Sequence, residues 1–416
     1  MGKLIVHGGN RLSGNIKIHG AKYSVLPILA ATVLCGDECI IDNCPKISDV
    51  EITLEILKSL GCTAEFKNGS IYINSSGFSK NEIPEHLMRK LRSSVVFLGS
   101  ILAKSGKARC SIPGGCAIGK RPINYHLKAF ETMGASASFD GKYIDVEQIK
   151  PKDSVVMLEM PSVGATENAM LFACLGERKT VIINAACEPE IVDLQNFLNK
   201  MGARISGAGT SAVTIYGVKK LHGTHHEIIP DRIEAATYMI TAAAAGGELN
   251  ISNVNPQHVK SISDILASCG TDISESKSEI CVKSAKRLNA YPMINTRPYP
   301  GFPTDVQSVL MAAMASADGI SVIVENIFEN RFSTANELMK MGANIKLSGK
   351  RAVICGKAKL HGATVSAPDL RGGAALAAAA ILAGGETVIE NTEYIERGYE
   401  NFENTLCSVG ADIIKI

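Results

Sequence analysis

Tryptophan is absent from this chain of 416 residues, and aromatic residues make up only 5% of it. The formal net charge is +2, so there is no basic excess of the kind that drives non-specific binding to nucleic acid. The most apolar segment, 235–245, ends at a glycine long before the roughly 20 residues that a membrane-spanning helix needs. The first residues lack the apolar core and small-residue cleavage site of a secretion signal. These absences predict a soluble cytoplasmic protein without a nucleic-acid or membrane partner.

Metal-binding patterns are missing as well. The chain contains 12 cysteines, but no C-x-x-C motif occurs and no histidine pair has the spacing of a zinc site. The adjacent pair His225-His226 suits a surface loop better than a metal site. We therefore expect no metal and no cofactor, and we expect most of the cysteines to be reduced thiols in a reducing compartment.

A repeated signature organises the chain. An apolar residue, a glycine and a small residue follow a helical pattern and precede a short strand-like run, and this arrangement recurs at intervals of 68 to 73 residues. The glycine is predicted to end each helix by adopting a left-handed conformation. The six copies lie at Gly61, Gly134, Gly202, Gly270, Gly342 and Gly410.

A second series of segments runs in phase with these glycines and is apolar on all sides, which predicts buried helices. Six units of about 70 residues, each with a buried helix inside and strands outside, account for the whole length. Pro230 interrupts the pattern after the third unit. The predicted fold class is α/β, with two inside-out α/β barrel domains of three repeats each. The first domain comprises 21–230 and carries the Cys116 loop; the second comprises 1–20 plus 231–416 and carries Asp305, Arg331, Arg371 and Arg397.

Cations fall at equivalent positions of these repeats. A cation at a helix N-terminus opposes the helix dipole, at a cost of roughly 0.3 to 1 kcal/mol, unless it faces an anion. The pattern therefore predicts a polyanionic ligand in the cleft between the two domains. The alternative is that these are solvated loop cations, or cations paired with neighbours such as Asp369 and Glu396. The cations are Lys22, Arg92, Arg232 and Arg371 at helix starts and Arg121, Arg331 and Arg397 in loops after strands.

The loop of the second repeat, 113–126, is longer than its counterparts and contains three glycines. Cys116 is the only cysteine in such a segment, and Lys120 and Arg121 are near enough to favour its thiolate. This predicts an exposed, reactive thiol that acts as a nucleophile or general acid. The alternative is an inert loop thiol, because no histidine partner is evident.

Asp305 begins the buried helix of the fifth repeat, within the segment Phe302-Pro303-Thr304-Asp305. Aspartate is favoured as a helix N-cap, so capping is one interpretation. A general base directed into the cleft is the other. The residues alone leave both roles open.

Several motifs together resemble the enolpyruvyl transferases, over the full length of the chain. The resemblance implies a two-domain inside-out α/β fold. It also implies an enzyme without a cofactor that transfers the enolpyruvyl group of phosphoenolpyruvate to the 3-hydroxyl of UDP-N-acetylglucosamine. That reaction releases phosphate and is the first committed step of peptidoglycan synthesis. The motifs are His19-Gly20-Ala21-Lys22, Leu91-Arg92-Ser93-Ser94, 113–119 with Arg121-Pro122, 162–166, Glu188-Pro189-Glu190, Phe302-Pro303-Thr304-Asp305, Glu329-Asn330-Arg331, Asp369-Leu370-Arg371 and Arg397-Gly398-Tyr399.

The resemblance also implies a role for each matching residue. Cys116 would be the proton donor and the thiol that fosfomycin alkylates, and Asp305 would be the base for the sugar hydroxyl. Lys22, Arg121 and Arg397 would hold phosphoenolpyruvate, while Arg331 and Arg371 would stabilise the closed state and its anions. The implied catalytic set is Cys116, Asp305, Lys22 and Arg397. The remaining substrate-binding residues would be Tyr23, Arg92, Pro122, Ile123, Asn124, Tyr125, Ser162, Val163, Gly164, Ile327 and Asp369.

Some positions depart from the family pattern. Tyr23 stands where asparagine is usual, Asn124 where aspartate is usual, and Tyr125 where a smaller aliphatic residue is common. A phenol is bulkier than an amide and differs in donor geometry. The alternative function is therefore a non-catalytic or weakly active paralogue that binds UDP-N-acetylglucosamine. A third possibility, a transferase of the shikimate pathway, conflicts with the Cys116 loop.

Overall fold

The computed structural model describes residues 2–115, 118–119, 121–284 and 287–416, and these residues form two compact units. Unit I comprises 20–115 and 121–229, and unit II comprises 2–19, 118–119 and 230–416. Ile118 and Gly119 thus group with unit II, although they lie inside the predicted first domain. The peptide N–H of Asn330 in unit II donates to the carbonyl oxygen of Ile118 at 3.0 Å, which explains this assignment.

The described helices follow the predicted repeats. In unit I they are α1 (Lys22–Ala31), α2 (Ser48–Ser59), α3 (Glu85–Lys90), α4 (Phe97–Ser105), α5 (Asn124–Thr132), α6 (Val163–Ala173) and α7 (Pro189–Lys200). In unit II they are α8 (Arg232–Ala245), α9 (Lys260–Ser268), α10 (Gln307–Ser316), α11 (Ser333–Lys340), α12 (Leu370–Leu382) and α13 (Phe402–Cys407). Short 3-10 turns occupy Thr32–Leu34, Arg92–Val96, Pro256–Val259, Thr304–Val306 and Thr392–Arg397.

The strands alternate with these helices along the chain. The first half contains β1 (Lys3–His7), β2 (Gly14–Lys17), β3 (Glu38–Asp42), β4 (Thr63–Lys67), β5 (Ser70–Asn74), β6 (Lys107–Ser111), β7 (Ala135–Phe139), β8 (Tyr143–Gln148), β9 (Ser154–Met157), β10 (Lys179–Ile183), β11 (Arg204–Ser206), β12 (Ala212–Tyr216) and β13 (His225–Glu227). The second half contains β14 (Gly247–Ser252), β15 (Asp272–Glu275), β16 (Glu279–Ser284), β17 (Met293–Asn295), β18 (Ile320–Val324), β19 (Asn344–Ser348), β20 (Arg351–Cys355), β21 (Thr364–Ser366), β22 (Glu386–Glu390) and β23 (Asp412–Lys415).

Each unit has three small sheets. Those of unit I have the strand orders β13-β3-β5-β4, β6-β8-β7 and β11-β12-β10-β9, and those of unit II are β15-β16-β14-β2, β17-β18-β20-β19 and β21-β22-β1-β23. In five of the sheets, the strand after the buried helix pairs antiparallel with the second strand of a hairpin, as β3 pairs with β5. In the sixth, β22 pairs antiparallel with β1 from the start of the chain. Five of the sheets add a short parallel edge strand, for example β17 beside β18. The predicted repeat unit contained neither the second hairpin strand nor the parallel edge strand.

The predicted helix ends are confirmed. All six repeat glycines follow the amphipathic helices and have φ between +92° and +110°, a range that other residues adopt only with strain. A short strand follows each of them, for example β4 after Gly61 and β19 after Gly342.

Buried helices form the interior of each unit, as predicted. In unit I, α4 packs against α1 and α6, and in unit II, α8, α10 and α12 pack against one another. Every residue of α12 from Leu370 to Ile381 is buried, because its alanines and glycines let neighbouring backbones approach closely. The sheets surround these helices, and their strands alternate buried and exposed residues. None of the helices described has the length and apolar character required to cross a membrane.

Candidate active-site clusters

Asp305 does not cap a helix. It lies inside the 3-10 turn Thr304–Val306, whose N-cap residue is Pro303, and no side chain caps this turn or α10. Instead its Oδ1 lies 3.4 Å from Nε of Arg371 and 3.5 Å from Nη2 of Arg331. The two arginine side chains are 2% and 3% exposed, whereas Asp305 is 24% exposed. Asp305 is thus a partly exposed carboxylate beside two buried cations, and its role as a general base stays a prediction.

Asp369 completes this cluster in unit II. It is the N-cap of α12, and its Oδ1 accepts the peptide N–H groups of Arg371 at 2.8 Å and Gly372 at 3.0 Å. The same oxygen lies 3.9 Å from Nη1 of Arg331. Pairing with a neighbour such as Asp369 is the predicted alternative to anion binding, and Arg331 forms this pair. Since Asp369 is bound to a helix end and a buried cation, its position fixes the arginines that hold Asp305.

Two further candidates of unit II lie near these elements. Arg397 ends the 3-10 turn Thr392–Arg397, which packs against α12, and it is half-buried. Ile327 is half-buried in the loop after β18, and its peptide N–H donates to Oε1 of Glu325 at 2.8 Å. Arg371 also lies against Tyr399, with 5.1 Å between the guanidinium carbon and the ring centroid. Unit II thus brings Asp305, Arg331, Asp369 and Arg371 into direct contact.

Lys22 of unit I forms a buried ion pair. It is the first residue of α1, and its Nζ lies 2.7 Å from Oδ2 of Asp49 in the first turn of α2. Their side chains are 6% and 2% exposed. The Lys22 Nζ also lies 5.7 Å from the ring centroid of Tyr23, which is half-buried. Asp49 offsets the cost of placing a lysine at a helix N-terminus, and the sequence analysis did not identify it.

Arg92 and Arg121 lie side by side in unit I. Arg92 begins a 3-10 turn, and its guanidinium group donates a hydrogen bond to the carbonyl oxygen of Arg121. Burial, together with the charge of Arg121, lowers the pKa of Arg92 to about 10. A bound anion would stabilise both cations. Arg121 and the next four predicted residues are exposed or half-buried, and the last two of them begin α5; the four are Pro122, Ile123, Asn124 and Tyr125.

His126 follows this segment and is buried. The Oδ1 of Asn168 accepts a hydrogen bond from the peptide N–H of Gly99. The Nδ2 of Asn168 donates to the carbonyl oxygen of Val95 at 3.0 Å and to Nδ1 of His126 at 2.7 Å. His126 Nδ1 is therefore an acceptor, so the ring proton lies on Nε2. Burial and the charge of Arg92 lower the pKa of His126 to about 3. The imidazole is thus neutral at physiological pH.

Gly164 lies directly beside this imidazole. A Cβ atom at Gly164 would come within 3.0 Å of His126 Cε1, so the ring edge packs against the glycine backbone. Gly164 is in the first turn of α6, whose N-cap Ser162 accepts the peptide N–H of Ala165 at 3.4 Å. Ser162, Val163 and Gly164 are half-buried, and the start of an 11-residue helix offers peptide N–H groups to an anion.

Cys116 lies outside the described residues, as do Ala117 and Lys120. The glycines before it are required by close contacts: a Cβ at Gly114 would lie 1.7 Å from the carbonyl oxygen of Arg89, and one at Gly115 would lie 2.8 Å from Cβ of Arg92. Of the other eleven cysteines, seven are buried and Cys407 is exposed. Within the described ranges, no group of three or more His, Cys, Asp or Glu side chains is arranged to hold a metal ion.

Comparison with known proteins identifies the family. The family model described as EPSP synthase (3-phosphoshikimate 1-carboxyvinyltransferase) matches residues 6–406. The chain belongs to the EPSP synthase family. Within this family it is 47% identical to UDP-N-acetylglucosamine 1-carboxyvinyltransferase 2 of Caldanaerobacter subterraneus subsp. tengcongensis, over 100% of both chains. It is 48% identical to UDP-N-acetylglucosamine 1-carboxyvinyltransferase 1 of the same organism, over 99% of both chains.

Solved structures of the family agree with the fold. The enolpyruvyl transferase NikO from Streptomyces tendae superposes with a TM-score of 0.89 at 25% identity, covering 100% of this chain and 98% of that one. EPSP synthase from Acinetobacter baumannii superposes with a TM-score of 0.77 at 18% identity, covering 100% and 99%, and so supports the fold alone. The predicted inside-out fold and family are confirmed.

Proposed function

We propose that the chain transfers the enolpyruvyl group of phosphoenolpyruvate to the 3-hydroxyl of UDP-N-acetylglucosamine and releases phosphate. One observation carries the chemistry: the Asp305 carboxylate is partly exposed and held by two buried arginines rather than bound to a helix end. The names of the full-length relatives support this choice of substrates. None of these relatives favours the non-catalytic alternative. The proposed role is in peptidoglycan synthesis.

The proposed reaction is an addition followed by an elimination. Asp305 accepts the proton of the sugar 3-hydroxyl while the 3-oxygen of the sugar bonds to C2 of phosphoenolpyruvate. Cys116 donates a proton to C3. The resulting intermediate then loses the phosphate from C2 and a proton from C3, which restores the double bond. Its phosphate and carboxylate groups need several cations, and the proposed ones are Lys22, Arg121, Arg331, Arg371 and Arg397.

Unit I supplies the proposed contacts to the nucleotide sugar. Its diphosphate and base would be bound by Arg92, by the segment 121–125 and by the half-buried start of α6, which comprises Ser162, Val163 and Gly164. In unit II, Ile327 and Asp305 would contact the sugar, and Asp369 would keep the arginines in place. Both proposed substrates are phosphorylated and do not cross membranes unaided, which supports a cytoplasmic location.

Phosphate release tests the proposal. Purified protein incubated with both substrates is expected to release phosphate, and omission of either substrate is expected to abolish the release. Absence of release with both substrates between pH 6 and pH 9 would contradict the proposed function. Calorimetric binding of UDP-N-acetylglucosamine without turnover would then identify the binding paralogue.

Tyr23 has its own test because it lies beside Lys22. A Tyr23→Asn variant restores the residue that is usual in the family. Unchanged or lower turnover in this variant is expected if the phenol is compatible with the reaction. A gain of tenfold or more would show that Tyr23 limits the wild-type chain, in line with a weakly active paralogue.

A further inference from the structure

Glu325 is a buried carboxylate immediately after β18, with a residue exposure of 2%. Its Oε1 accepts hydrogen bonds from Thr296 Oγ1 at 2.9 Å and from the peptide N–H groups of Ile327 at 2.8 Å and Phe328 at 3.2 Å. Its Oε2 accepts a hydrogen bond from Thr304 Oγ1 at 2.9 Å. The carboxyl group of Glu325 thus accepts hydrogen bonds from two threonine hydroxyls and two peptide N–H groups.

The described hydrogen-bond partners of Glu325 are all neutral groups. Among the described residues, no lysine, arginine or histidine forms an ion pair with Glu325. Burial of a carboxyl group is costly unless its oxygens are hydrogen-bonded, and these four groups provide the hydrogen bonds. An apolar side chain would fill the same space without that requirement, so packing alone does not account for a carboxyl group here.

The four donors lie on three chain segments, two of which carry candidate site residues. Thr304 precedes Asp305 within the same 3-10 turn, and its carbonyl oxygen accepts a hydrogen bond from Arg331 Nε at 3.4 Å. Ile327 and Phe328 belong to the loop after β18. Thr296 follows β17, and its Oγ1 also accepts the peptide N–H of Asn326 at 2.8 Å. One carboxylate therefore connects the Asp305 turn with the Ile327 loop.

We propose that Glu325 is a positioning residue for the reaction proposed above, on which this inference rests. It fixes the Asp305 turn through Thr304 and the Ile327 loop through Thr296 and two peptide N–H groups, without contacting a substrate itself. Asp305 supplies the proposed base, and Ile327 contacts the nucleotide sugar. The two connections therefore act on different kinetic constants.

The two threonines separate these effects. Thr304→Val removes the hydrogen bond between Glu325 and the Asp305 turn, and we expect kcat to fall about 10- to 100-fold, with less than about a threefold change in the KM for the nucleotide sugar. Thr296→Val removes the hydroxyl that supports the 326–327 loop, and we expect that KM to rise roughly 5- to 10-fold, with kcat nearly unchanged. Valine matches threonine in shape, so both variants retain the packing of the site.

Two controls distinguish positioning from general structural damage. Thr387→Val also removes a buried hydroxyl in unit II, but this hydroxyl has no hydrogen-bond partner among the residues described, so both constants should stay at wild-type values. Glu325→Gln can keep its amide oxygen at the Oε1 position and donate to Thr304, whose hydroxyl then becomes the acceptor. It should recover most of the activity that Glu325→Ala loses.

The experiment is steady-state phosphate release by the full chain, with thermal unfolding of every variant. Two results would overturn this inference but leave the proposed function intact, provided that the wild-type chain turns over. In the first, Thr304→Val and Thr296→Val have the same effects on kcat and on KM. In the second, both variants behave as Thr387→Val does. If the wild-type chain only binds UDP-N-acetylglucosamine, the proposed function fails, and calorimetry must still show weaker binding for Thr296→Val and unchanged binding for Thr304→Val. A chain that neither turns over nor binds would overturn both.

Discussion

Unit II holds its arginines against carboxylates, whereas unit I places two arginines against each other. Arg331 and Arg371 lie within 3.5 Å of the Asp305 Oδ1 and are almost completely buried. Arg92, in contrast, donates to the carbonyl oxygen of Arg121, and the charge of Arg121 contributes to its lowered pKa. The buried charges of unit II are thus balanced by its own carboxylates, while an anionic ligand would lower the repulsion in unit I. This difference supports the proposed roles, in which unit II supplies the base and unit I binds the anionic nucleotide sugar.

The largest expected effect comes from removing the proposed base of unit II. Asp305→Asn keeps the shape of the side chain but removes its basicity, so turnover should fall by about 10²- to 10⁴-fold. Binding of the nucleotide sugar by calorimetry should change much less. Asp318→Asn is the matched control, because Asp318 forms an exposed ion pair with Lys357 in the same unit. Wild-type phosphate release by Asp305→Asn would remove Asp305 from the mechanism.

Labelling of the Cys116 thiol tests its predicted role as the proton donor. In the presence of UDP-N-acetylglucosamine, fosfomycin should add once to the wild-type chain, and peptide mass mapping should place the adduct on Cys116. Cys116→Ser should abolish labelling and lower turnover by about 10²-fold or more, because a hydroxyl is a far weaker acid than a thiol. Cys407→Ser, which removes an exposed cysteine of unit II, should be labelled and active like the wild type. Labelling of Cys407 instead would contradict the assignment.

The contrast between the arginines has a direct test in the unliganded protein. Arg371→Gln leaves Asp305 with one fewer cation in a mostly buried cluster and should lower the free energy of unfolding by about 2 to 4 kcal/mol. Arg92→Gln removes a like-charge contact and should leave that free energy within about 0.5 kcal/mol of the wild type. Urea unfolding without substrates measures both.

Binding should show the reverse order for the arginines. Arg92→Gln should raise the KM for the nucleotide sugar roughly 10-fold or more, because a charge-assisted contact to an anion is lost. Arg89→Gln is its control, since Arg89 is exposed and forms an ion pair with Glu85 one turn away. Equal destabilisation by Arg92→Gln and Arg371→Gln would show that the two units do not differ in the way their charges are balanced.

Local signals explain which features could be predicted from sequence. Gly134 and its counterparts could be recognised because a left-handed helix end depends on a single residue. Helix α12 could be recognised because small and apolar residues occupy all of its faces, which predicts a buried helix. The candidate cations could be recognised because they occupy equivalent positions of the repeats. The role of Asp305 could not be decided, because a 3-10 turn and an N-capped helix start have the same sequence pattern.

Long-range partners could not be predicted. Asp49, Glu325 and Asn168 contact Lys22, Thr296 and His126 across 27 to 42 residues of sequence, and no periodicity encodes such pairs. Each is a buried polar residue, and its only sequence signal is a polar side chain at a position where the pattern calls for an apolar one. The Lys22–Asp49 pair and the Glu325 hydrogen bonds show that the polar interior of both units was the main feature missed.

Two buried titratable groups of unit I, Glu167 and His126, have shifted pKa values that make the stability of the chain depend on pH. Burial, with the charges of Glu190 and Glu188, raises the pKa of Glu167 from 4.5 to about 8. Between these values the folded chain keeps a proton that the unfolded chain has lost, so stability falls as pH rises, by at most about 1.4 kcal/mol per pH unit. Glu167→Gln is neutral at every pH and should lose this slope.

His126 acts in the opposite direction. Its pKa of about 3 lies below the ordinary value of 6.5, so the unfolded chain takes up a proton first as pH falls, and stability decreases between those values. His126→Gln should therefore lose less stability than the wild type between pH 6.5 and pH 4, and Glu167→Gln should lose less between pH 5 and pH 8. Urea unfolding midpoints across pH 4 to 8 measure both slopes, with the half-buried Glu337→Gln of unit II as the control. Because the two slopes cancel between about pH 4.5 and 6.5, the double variant and the wild type should both show little pH dependence there, and outside that window the double variant should lose less stability than the wild type. Parallel curves for the wild type, the two single variants and the double variant would show that neither group titrates as inferred.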